Sequence, residues 1–209
     1  MTGGHAGEWF GHIDIYLFDQ LLKGRLRPGM RVLDAGCGDG RNLVYLLRAG
    51  FDVYGVDVVS EALDEARALA RRLAPSLPAD HFRVEAVEQL SFPDAYFEFV
   101  ISSAVLHFAP DEARFHAMVR EMWRVLVPGG IFFARLASTI GIESLVEPLG
   151  DRRYHLPDGT NRFLVDMDLV TRTSKALGGA FIEPIKTVNV ENTRCMTTWC
   201  LRKDGTAGE

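Results

Sequence analysis

Residues 32–42 read Val-Leu-Asp-Ala-Gly-Cys-Gly-Asp-Gly-Arg-Asn, a short apolar run followed by three glycines at alternate positions. The apolar run is typical of a buried strand, and residues 41–49 continue with a helical pattern. Glycine lacks a Cβ, so such a loop turns tightly and lets its backbone approach a bound group. Free N–H groups at the start of the following helix favour a polar or anionic ligand. The order of strand, loop and helix therefore predicts an α/β protein with a ligand site at the loop.

A second apolar run, residues 51–57, ends on Asp57. In a doubly wound sheet, a carboxylate in this place accepts hydrogen bonds from both hydroxyls of a ribose. The glycine spacing is Gly-x-Gly-x-Gly, whereas the dinucleotide-binding pattern is Gly-x-Gly-x-x-Gly. The sequence therefore favours a nucleoside without a pyrophosphate as the ligand.

Further segments follow in order at residues 90–94, 97–107 and 123–130. With the glycine loop and Asp57, they resemble the class I S-adenosylmethionine (SAM)-dependent methyltransferases over roughly residues 30 to 137. The resemblance implies SAM as cofactor, S-adenosylhomocysteine as product and a small-molecule acceptor. Residues 38–42 and 50–53 have the look of tellurite-resistance and thiopurine-type methyltransferases, a narrower similarity that identifies no acceptor.

Strand and helix patterns alternate along the chain. This alternation predicts a Rossmann-like, doubly wound, seven-stranded and mainly parallel sheet with helices on both faces. We expect a single domain over residues 1–209. Its parts are an N-terminal helical cap (1–29, with one amphipathic helix from residue 9 to 22), a SAM-binding core (30–137), a lid or substrate loop (138–165), a C-terminal helix and two strands (166–203) and a tail (204–209).

Composition narrows the partners. A net charge of −5 disfavours a general nucleic-acid or membrane surface, since both need concentrated Lys and Arg. The three cysteines have no metal-ligand spacing, which predicts a reducing cytoplasm and no metal. No apolar run has the length of a membrane span and the first residues do not resemble a signal peptide, so we expect the chain to stay in the cytoplasm.

The family resemblance assigns cofactor contacts to positions of this sequence. It implies that the loop residues face the methionine half of SAM, that Asp57 binds the ribose, that Val58 packs on the adenine and that the backbone of Ser103 meets the cofactor. The loop residues concerned are Asp34, Gly36, Gly38 and Gly40.

One position departs from the family pattern. Members commonly carry an Asp-Ala pair after the third strand, with the Asp bound to the adenine amino group, whereas this chain has Ala86-Val87. Either Val87 and its neighbours contact adenine through backbone and apolar surface, or Glu85 or Glu88 supplies the carboxylate.

His107 follows the fourth predicted strand and is the candidate general base, because histidine accepts protons near neutral pH. A ring held by local backbone is the alternative. Arg135, inside an apolar strand, either binds an anionic substrate, pairs with a lid carboxylate such as Glu143, or forms a structural ion pair. Tyr16 either caps the site or packs in the core.

Side chains in two other segments also have a functional and a structural interpretation. Trp9 either caps the site or packs in the core, as Tyr16 does. The lid residues Arg152, Arg153 and His155 indicate either an acidic substrate or a solvated surface.

Two other functions stay open at this point. A SAM-binding or S-adenosylhomocysteine-binding regulator without transfer activity would explain the altered Ala86-Val87 pair. A nicotinamide-dependent oxidoreductase is disfavoured by the glycine spacing. Neither the acceptor atom nor the oligomeric state follows from the sequence.

Overall fold

A sheet of eight strands runs through the centre of the computed structural model, which describes residues 6–205. Three shorter strands form a second sheet. The strands are β1 (Arg31–Ala35), β2 (Asp52–Asp57), β3 (Phe82–Val84), β4 (Phe97–Ser103), β5 (Leu126–Ser138), β6 (Glu147–Gly150), β7 (Arg153–His155), β8 (Asn161–Phe163), β9 (Gly179–Phe181), β10 (Lys186–Val190) and β11 (Arg194–Lys203).

The central sheet has the order β10-β11-β5-β4-β1-β2-β3, and the short strand β9 also pairs with β11. All pairs from β3 to β5 are parallel. Strand β11 is antiparallel to its neighbours β5, β10 and β9. The predicted doubly wound, mainly parallel fold is thus confirmed. Strand β9 is an eighth strand, separated from β10 by Pro184, which has no N–H to donate to a sheet.

Helices cover both faces of the central sheet. They are α1 (Ala6–Phe10), α2 (Ile15–Leu22), α3 (Val44–Arg48), α4 (Ser60–Leu73), α5 (Glu112–Val125) and α6 (Met167–Ala176). Successive side chains of a strand point to opposite faces, so Val32 and Leu33 of β1 enter different cores. Leu33 lies in the core that α5 and α6 cover, and Val32 in the core that α2, α3 and α4 cover.

Strand β1 pairs with β2 on one side and with β4 on the other. The chain order therefore reverses at β1, and the crevice at the carboxyl ends of β1 and β4 is the place where doubly wound sheets bind ligands. The glycine loop follows β1 directly. The fold thus brings the loop, the end of β2 and the end of β4 to one edge of the sheet.

The N-terminal region differs from the expected single helix over residues 9–22. Gly11 adopts a positive φ of 60° and ends α1. A new helix then starts at Asp14, whose Oδ1 accepts hydrogen bonds from the N–H groups of Tyr16 and Leu17 at 2.9 and 3.4 Å. Two short helices therefore replace one. Residues 1–5 of the predicted cap lie outside the described residues, as do residues 206–209 of the predicted tail.

Residues 138–165 are more ordered than a loop. Strands β6, β7 and β8 within them form a three-stranded antiparallel sheet. A bridge between Ser138 and Val165 joins the two ends of the segment. The lid function of this small sheet stays a prediction.

Two smaller features complete the fold. The helix after the glycine loop begins at Val44, later than expected, because residues 41–43 form turns. Over residues 6–205, none of the helices combines the length and apolar character that crossing a bilayer requires.

Helix α5 offers a test of this local structure. The Oδ1 of Asp111 accepts the N–H of Arg114 at 2.7 Å and caps the helix. We expect Asp111→Ala to lower the free energy of unfolding by about 1 kcal/mol, because an N–H of the first turn loses its acceptor. Urea unfolding measures the change. Asp111→Asn keeps an acceptor and serves as the control; equal losses in both variants would contradict the capping role.

Candidate functional site

The glycine loop is held against β2 by backbone hydrogen bonds. The N–H groups of Gly36 and Cys37 both donate to the carbonyl oxygen of Val56, at 2.8 and 2.9 Å. Gly36 has a φ of +85°, and a Cβ there would overlap the side chain of Val105. The loop therefore needs glycine at this position both for its turn and for its contact with the segment after β4.

Asp57, at the end of β2, connects two loops. Its Oδ2 accepts the N–H of Gly38 and its Oδ1 accepts the N–H of Val59, both at 2.9 Å. The carboxylate stands at the surface of a cleft beside Gly36. Asp57, the residue predicted to bind the ribose, thus lies at the cleft. Its carboxylate also holds the loop after β1 and the loop after β2 together.

Asp34 lies at the carboxyl end of β1 and is buried. Neither of its carboxyl oxygens accepts a hydrogen bond from any residue of the described part of the chain. Burial raises the pKa of Asp34 to about 7, an effect that the positive charge of Arg41 and the nearby side-chain amide of Asn42 partly oppose. A buried carboxyl group without a partner is costly, and such a group is typical of a ligand site.

The cleft beside the glycine loop has a volume of about 500 Å³, and we refer to it as the glycine-loop cleft. Its walls are mainly apolar, with three charged side chains among them. It is lined by Gly36, Asp57, Val58, Val59, Val87, Glu88, Ala104, Val105, Phe108, Ala109, Pro110, Arg114 and Met118.

Four of the nine predicted cofactor residues line this cleft, and the other five do not. Gly36, Asp57, Val58 and Val87 line the cleft, whereas Ala86 does not. The remaining predicted residues are not among the lining residues either: Asp34, Gly38, Gly40 and Ser103.

Each of these residues outside the lining has a distinct local setting. Gly38 binds Asp57 through its N–H, and Gly40 has a φ of +84° in the turn before α3. The Oγ of Ser103 accepts a hydrogen bond from Arg41 at 3.3 Å.

The two glutamates beside Ala86-Val87 differ in position. Glu85 accepts hydrogen bonds from the N–H and the hydroxyl of Ser91, away from the cleft. Glu88 lines the cleft and pairs with Arg114. Val87 and Glu88 are therefore the two residues of this segment that line the cleft.

His107 is buried in a turn after β4, and its Nδ1 accepts the N–H of Ala137 at 3.3 Å. The acceptor nitrogen is thus in use, and the neutral ring carries its hydrogen on Nε2. Burial and, to a smaller extent, the positive charge of Arg162 together lower the pKa of His107 to about 4. This geometry favours the ring held by local backbone and does not favour the general base.

A second pocket, of about 350 Å³, meets the glycine-loop cleft at Ala104. Ala104 directly follows β4 and has a φ of +64°. Three arginines line this pocket, so we refer to it as the arginine pocket. Its lining residues are Ala104, His107, Arg135, Ala137, Leu156, Asp158, Thr160, Arg162, Val190, Arg194 and Met196.

Arg135 reaches the arginine pocket but already has a partner. Its Nη1 donates to Oδ2 of Asp14 at 2.8 Å, and its Cζ lies 5.2 Å from the centre of the Tyr16 ring. The proposed pair with Glu143 is wrong, because Glu143 accepts the N–H of Gly141 instead. Tyr16 lines neither cavity, but its ring contacts Arg135, which lines the arginine pocket.

Two of the three predicted basic residues of the lid, Arg152 and His155, are engaged in structural contacts. Arg152 pairs with Glu112 and Asp166, at 2.6 and 2.9 Å, and so joins the small sheet to α5 and α6. His155 is hydrogen-bonded to Asn161. Neither residue lines the arginine pocket. Trp9 is half-exposed and lies over Arg48, outside both cavities.

The sequence analysis missed several residues of both cavities. Phe108 belongs to the segment after β4 that the sequence already indicated as part of the site. Arg114 and Met118 are one helical turn apart on α5, and their spacing reads equally well as core. Arg162 and Arg194 come from strands whose place beside the site depends on the three-dimensional arrangement alone.

The chain is similar in sequence to known methyltransferases. Residues 33–134 match the family of methyltransferase domains. A malonyl-[acyl-carrier protein] O-methyltransferase of Serratia marcescens is 36% identical over 128 residues, covering 61% of this chain and 45% of that protein. A ubiquinone biosynthesis O-methyltransferase of Methylocella silvestris is 31% identical over 161 residues, covering 74% of this chain and 60% of that protein.

The fold has a close structural relative. A SAM-dependent methyltransferase from Methanosarcina mazei gives a TM-score of 0.72 at 21% identity, covering 88% of this chain and 97% of that chain. At this identity the likeness is one of fold. The chain spans about half the length of the curated relatives it matches first.

The buried state of His107 predicts a pH dependence of stability. Its pKa is lower in the folded chain than in the unfolded chain, so the unfolded state takes up the proton first as the pH falls. From about pH 7 to about pH 5, we expect the chain to lose about 2 kcal/mol more stability than His107→Asn, which keeps an acceptor for the N–H of Ala137. Urea unfolding at both pH values measures this difference. Equal losses in the two proteins would contradict a buried neutral ring.

Proposed function

Because residues 33–134 match the family of methyltransferase domains, we propose that this chain is a class I SAM-dependent methyltransferase that transfers a methyl group from SAM to a small-molecule acceptor. One observation carries this proposal. An unpartnered buried carboxyl group, Asp34, and a cleft-side carboxylate, Asp57, flank the glycine loop at the carboxyl ends of β1 and β2.

The residues present fit the chemistry of SAM. Its ribose offers two hydroxyl donors, for which Asp57 is the acceptor. Its methionine half carries positive charge, which the carboxyl group of Asp34 complements. Its adenine is planar and largely apolar at its faces, and Val58 and Val87 provide an apolar wall in the same cleft. Glu88 is the nearby acceptor for the adenine amino group.

The mechanism requires little acid or base chemistry from the protein. When bound, SAM would supply a methyl group attached to a positively charged sulfur, and that sulfur would be the leaving group when an acceptor nucleophile attacks the methyl carbon in line. The chain's own task is to orient the reactants and to exclude water. The tight contact of Gly36 with Val105 and the apolar side chains of Phe108 and Met118 serve this purpose. His107 holds the backbone at Ala137 and keeps a neutral N–H at the edge of the arginine pocket.

The acceptor is proposed to be small because the arginine pocket is small and shares the lining residue Ala104 with the glycine-loop cleft. The two curated relatives named above are O-methyltransferases, and we extend oxygen as the preferred acceptor atom to this chain. The acidic net charge supports an acceptor other than nucleic acid. The three unpaired, buried cysteines are consistent with a cytoplasmic location.

Replacing Asp57 tests the cofactor site. We expect Asp57→Asn to weaken the binding of S-adenosylhomocysteine about a hundredfold, because an amide replaces the charged acceptor of two hydroxyl groups. Calorimetric titration measures the dissociation constant. Asp64→Asn, on the exposed face of α4, is the matched control and keeps the native affinity. Unchanged binding in a folded Asp57→Asn would exclude the ribose role.

The same titration compares ligands. Binding of SAM and S-adenosylhomocysteine without binding of NAD is the expected result. Tight binding of NAD in the absence of SAM binding would favour an oxidoreductase instead. Binding of SAM without transfer to a broad set of oxygen, nitrogen and sulfur nucleophiles would favour a regulator.

Asp34 predicts a pH dependence of cofactor binding. With a pKa of about 7 in the free protein, its carboxyl group must lose a proton before it complements the ammonium group of the ligand's methionine half. The affinity for S-adenosylhomocysteine should therefore rise with pH up to about 7 and then level off. Calorimetry at several pH values measures this rise. Asp34→Asn should remove it, and adenosine, which lacks the methionine half, should not show it; an equal rise with Asp34→Asn would refute the assignment.

A further inference from the structure

The arginine pocket is more basic than its surroundings. Arg135, Arg162 and Arg194 line it, against the single carboxylate of Asp158. The whole chain, by contrast, has a net charge of −5. A small concave site with an excess of positive charge attracts anions even on an acidic protein.

The three arginines are not equally available. Asp14 neutralises Arg135 at 2.8 Å. Arg194 is half-exposed and stands 3.7 Å from Asp158, a long ion pair. The carboxylate of Asp158 is also bound through Oδ1 to the N–H and the hydroxyl of Thr160. Arg194 therefore retains most of its capacity to donate hydrogen bonds.

Arg162 has the fewest partners of the three. Its Nη1 donates to the carbonyl oxygen of Asn161, and its Cζ lies 4.9 Å from the centre of the Phe108 ring. Within residues 6–205, no carboxylate lies within ion-pair distance of its guanidinium. Phe108 lines the glycine-loop cleft and Arg162 lines the arginine pocket, so this contact lies at the boundary between the two cavities.

We propose that Arg162 and Arg194 bind an oxyanion of the methyl acceptor, a carboxylate or a phosphate, in the arginine pocket. This inference rests on the proposed function, since it takes the neighbouring glycine-loop cleft as the SAM site. Guanidinium groups bind both kinds of oxyanion through paired N–H donors. The pocket also has apolar walls at Leu156, Val190 and Met196, which suit an acceptor with an apolar body.

The position of the two arginines defines how such an acceptor lies. The cavities meet at Ala104, so the reacting atom must point toward Ala104. His107, with its hydrogen on Nε2, lines the same pocket as a donor and does not repel an anion. The oxyanion therefore acts as the specificity group, and the nucleophile is a separate atom or a second oxygen of the same group.

The test uses matched pairs of small ligands. Single-ring carboxylates, each with its neutral carboxamide, and phosphate monoesters, each with its parent alcohol, are screened by ligand-observed NMR with and without S-adenosylhomocysteine. The anionic members should bind in preference to their neutral partners. The two classes of pair show which oxyanion the pocket prefers.

Variants locate the binding. The double variant Arg162→Gln with Arg194→Gln should weaken binding of the anions about tenfold or more, because a charge-assisted hydrogen bond is lost at each position. Binding of S-adenosylhomocysteine should be unchanged, which also shows that the variant is folded. The control is Arg71→Gln, which removes one positive charge at an exposed position of α4. It should leave the affinities for the anions and for S-adenosylhomocysteine unchanged.

Each other outcome has a defined meaning. No preference for anions, or an equal preference in the double variant, overturns the proposal. Weaker binding of S-adenosylhomocysteine in the folded double variant also overturns it, because the arginines then serve the carboxylate of the cofactor. Failure of the unaltered protein to bind S-adenosylhomocysteine, with anion binding intact, overturns the proposed function instead and leaves an anion site without it.

Discussion

The site depends on the carboxylate of Asp57 more than on any other group. Its two oxygens accept the N–H groups of Gly38 and Val59, so it connects the loop after β1 with the loop after β2. These loops form one side of the glycine-loop cleft. A carboxylate that shapes the cleft and also faces into it ties the conformation of the loops to the binding of a ligand. The same constraint explains why the glycine loop cannot change independently of the neighbouring strand.

Charge is divided between the two cavities. Asp57 and Glu88 place two negative charges in the lining of the glycine-loop cleft, one of which Arg114 offsets, and the arginine pocket next to it is basic. A cationic cofactor and an anionic acceptor would thus be drawn to adjacent places by opposite fields. Because the cavities meet at Ala104, the two ligands would approach each other there.

Much of the fold follows from the sequence because its signals are local. The apolar runs and glycines around β1, β2 and β4 predict strands that the structure places within one or two residues. Residues 138–165 lack such signals, since short strands interrupted by glycine and proline resemble a loop. The break at Gly11 is likewise hidden, because apolar spacing continues across it.

Side-chain partners in the site could be predicted only in part, because they depend on distant segments. The partner of Arg135 is Asp14, 121 positions earlier in the chain, and the sequence gives no sign of this contact. In the structure the backbone N–H of the same residue donates a hydrogen bond to Oδ1 of Asn42. One residue therefore starts α2, contacts the turn after the glycine loop and neutralises an arginine of the second cavity. The N-terminal segment is consequently part of the site's support, and changes in its position would reach both cavities.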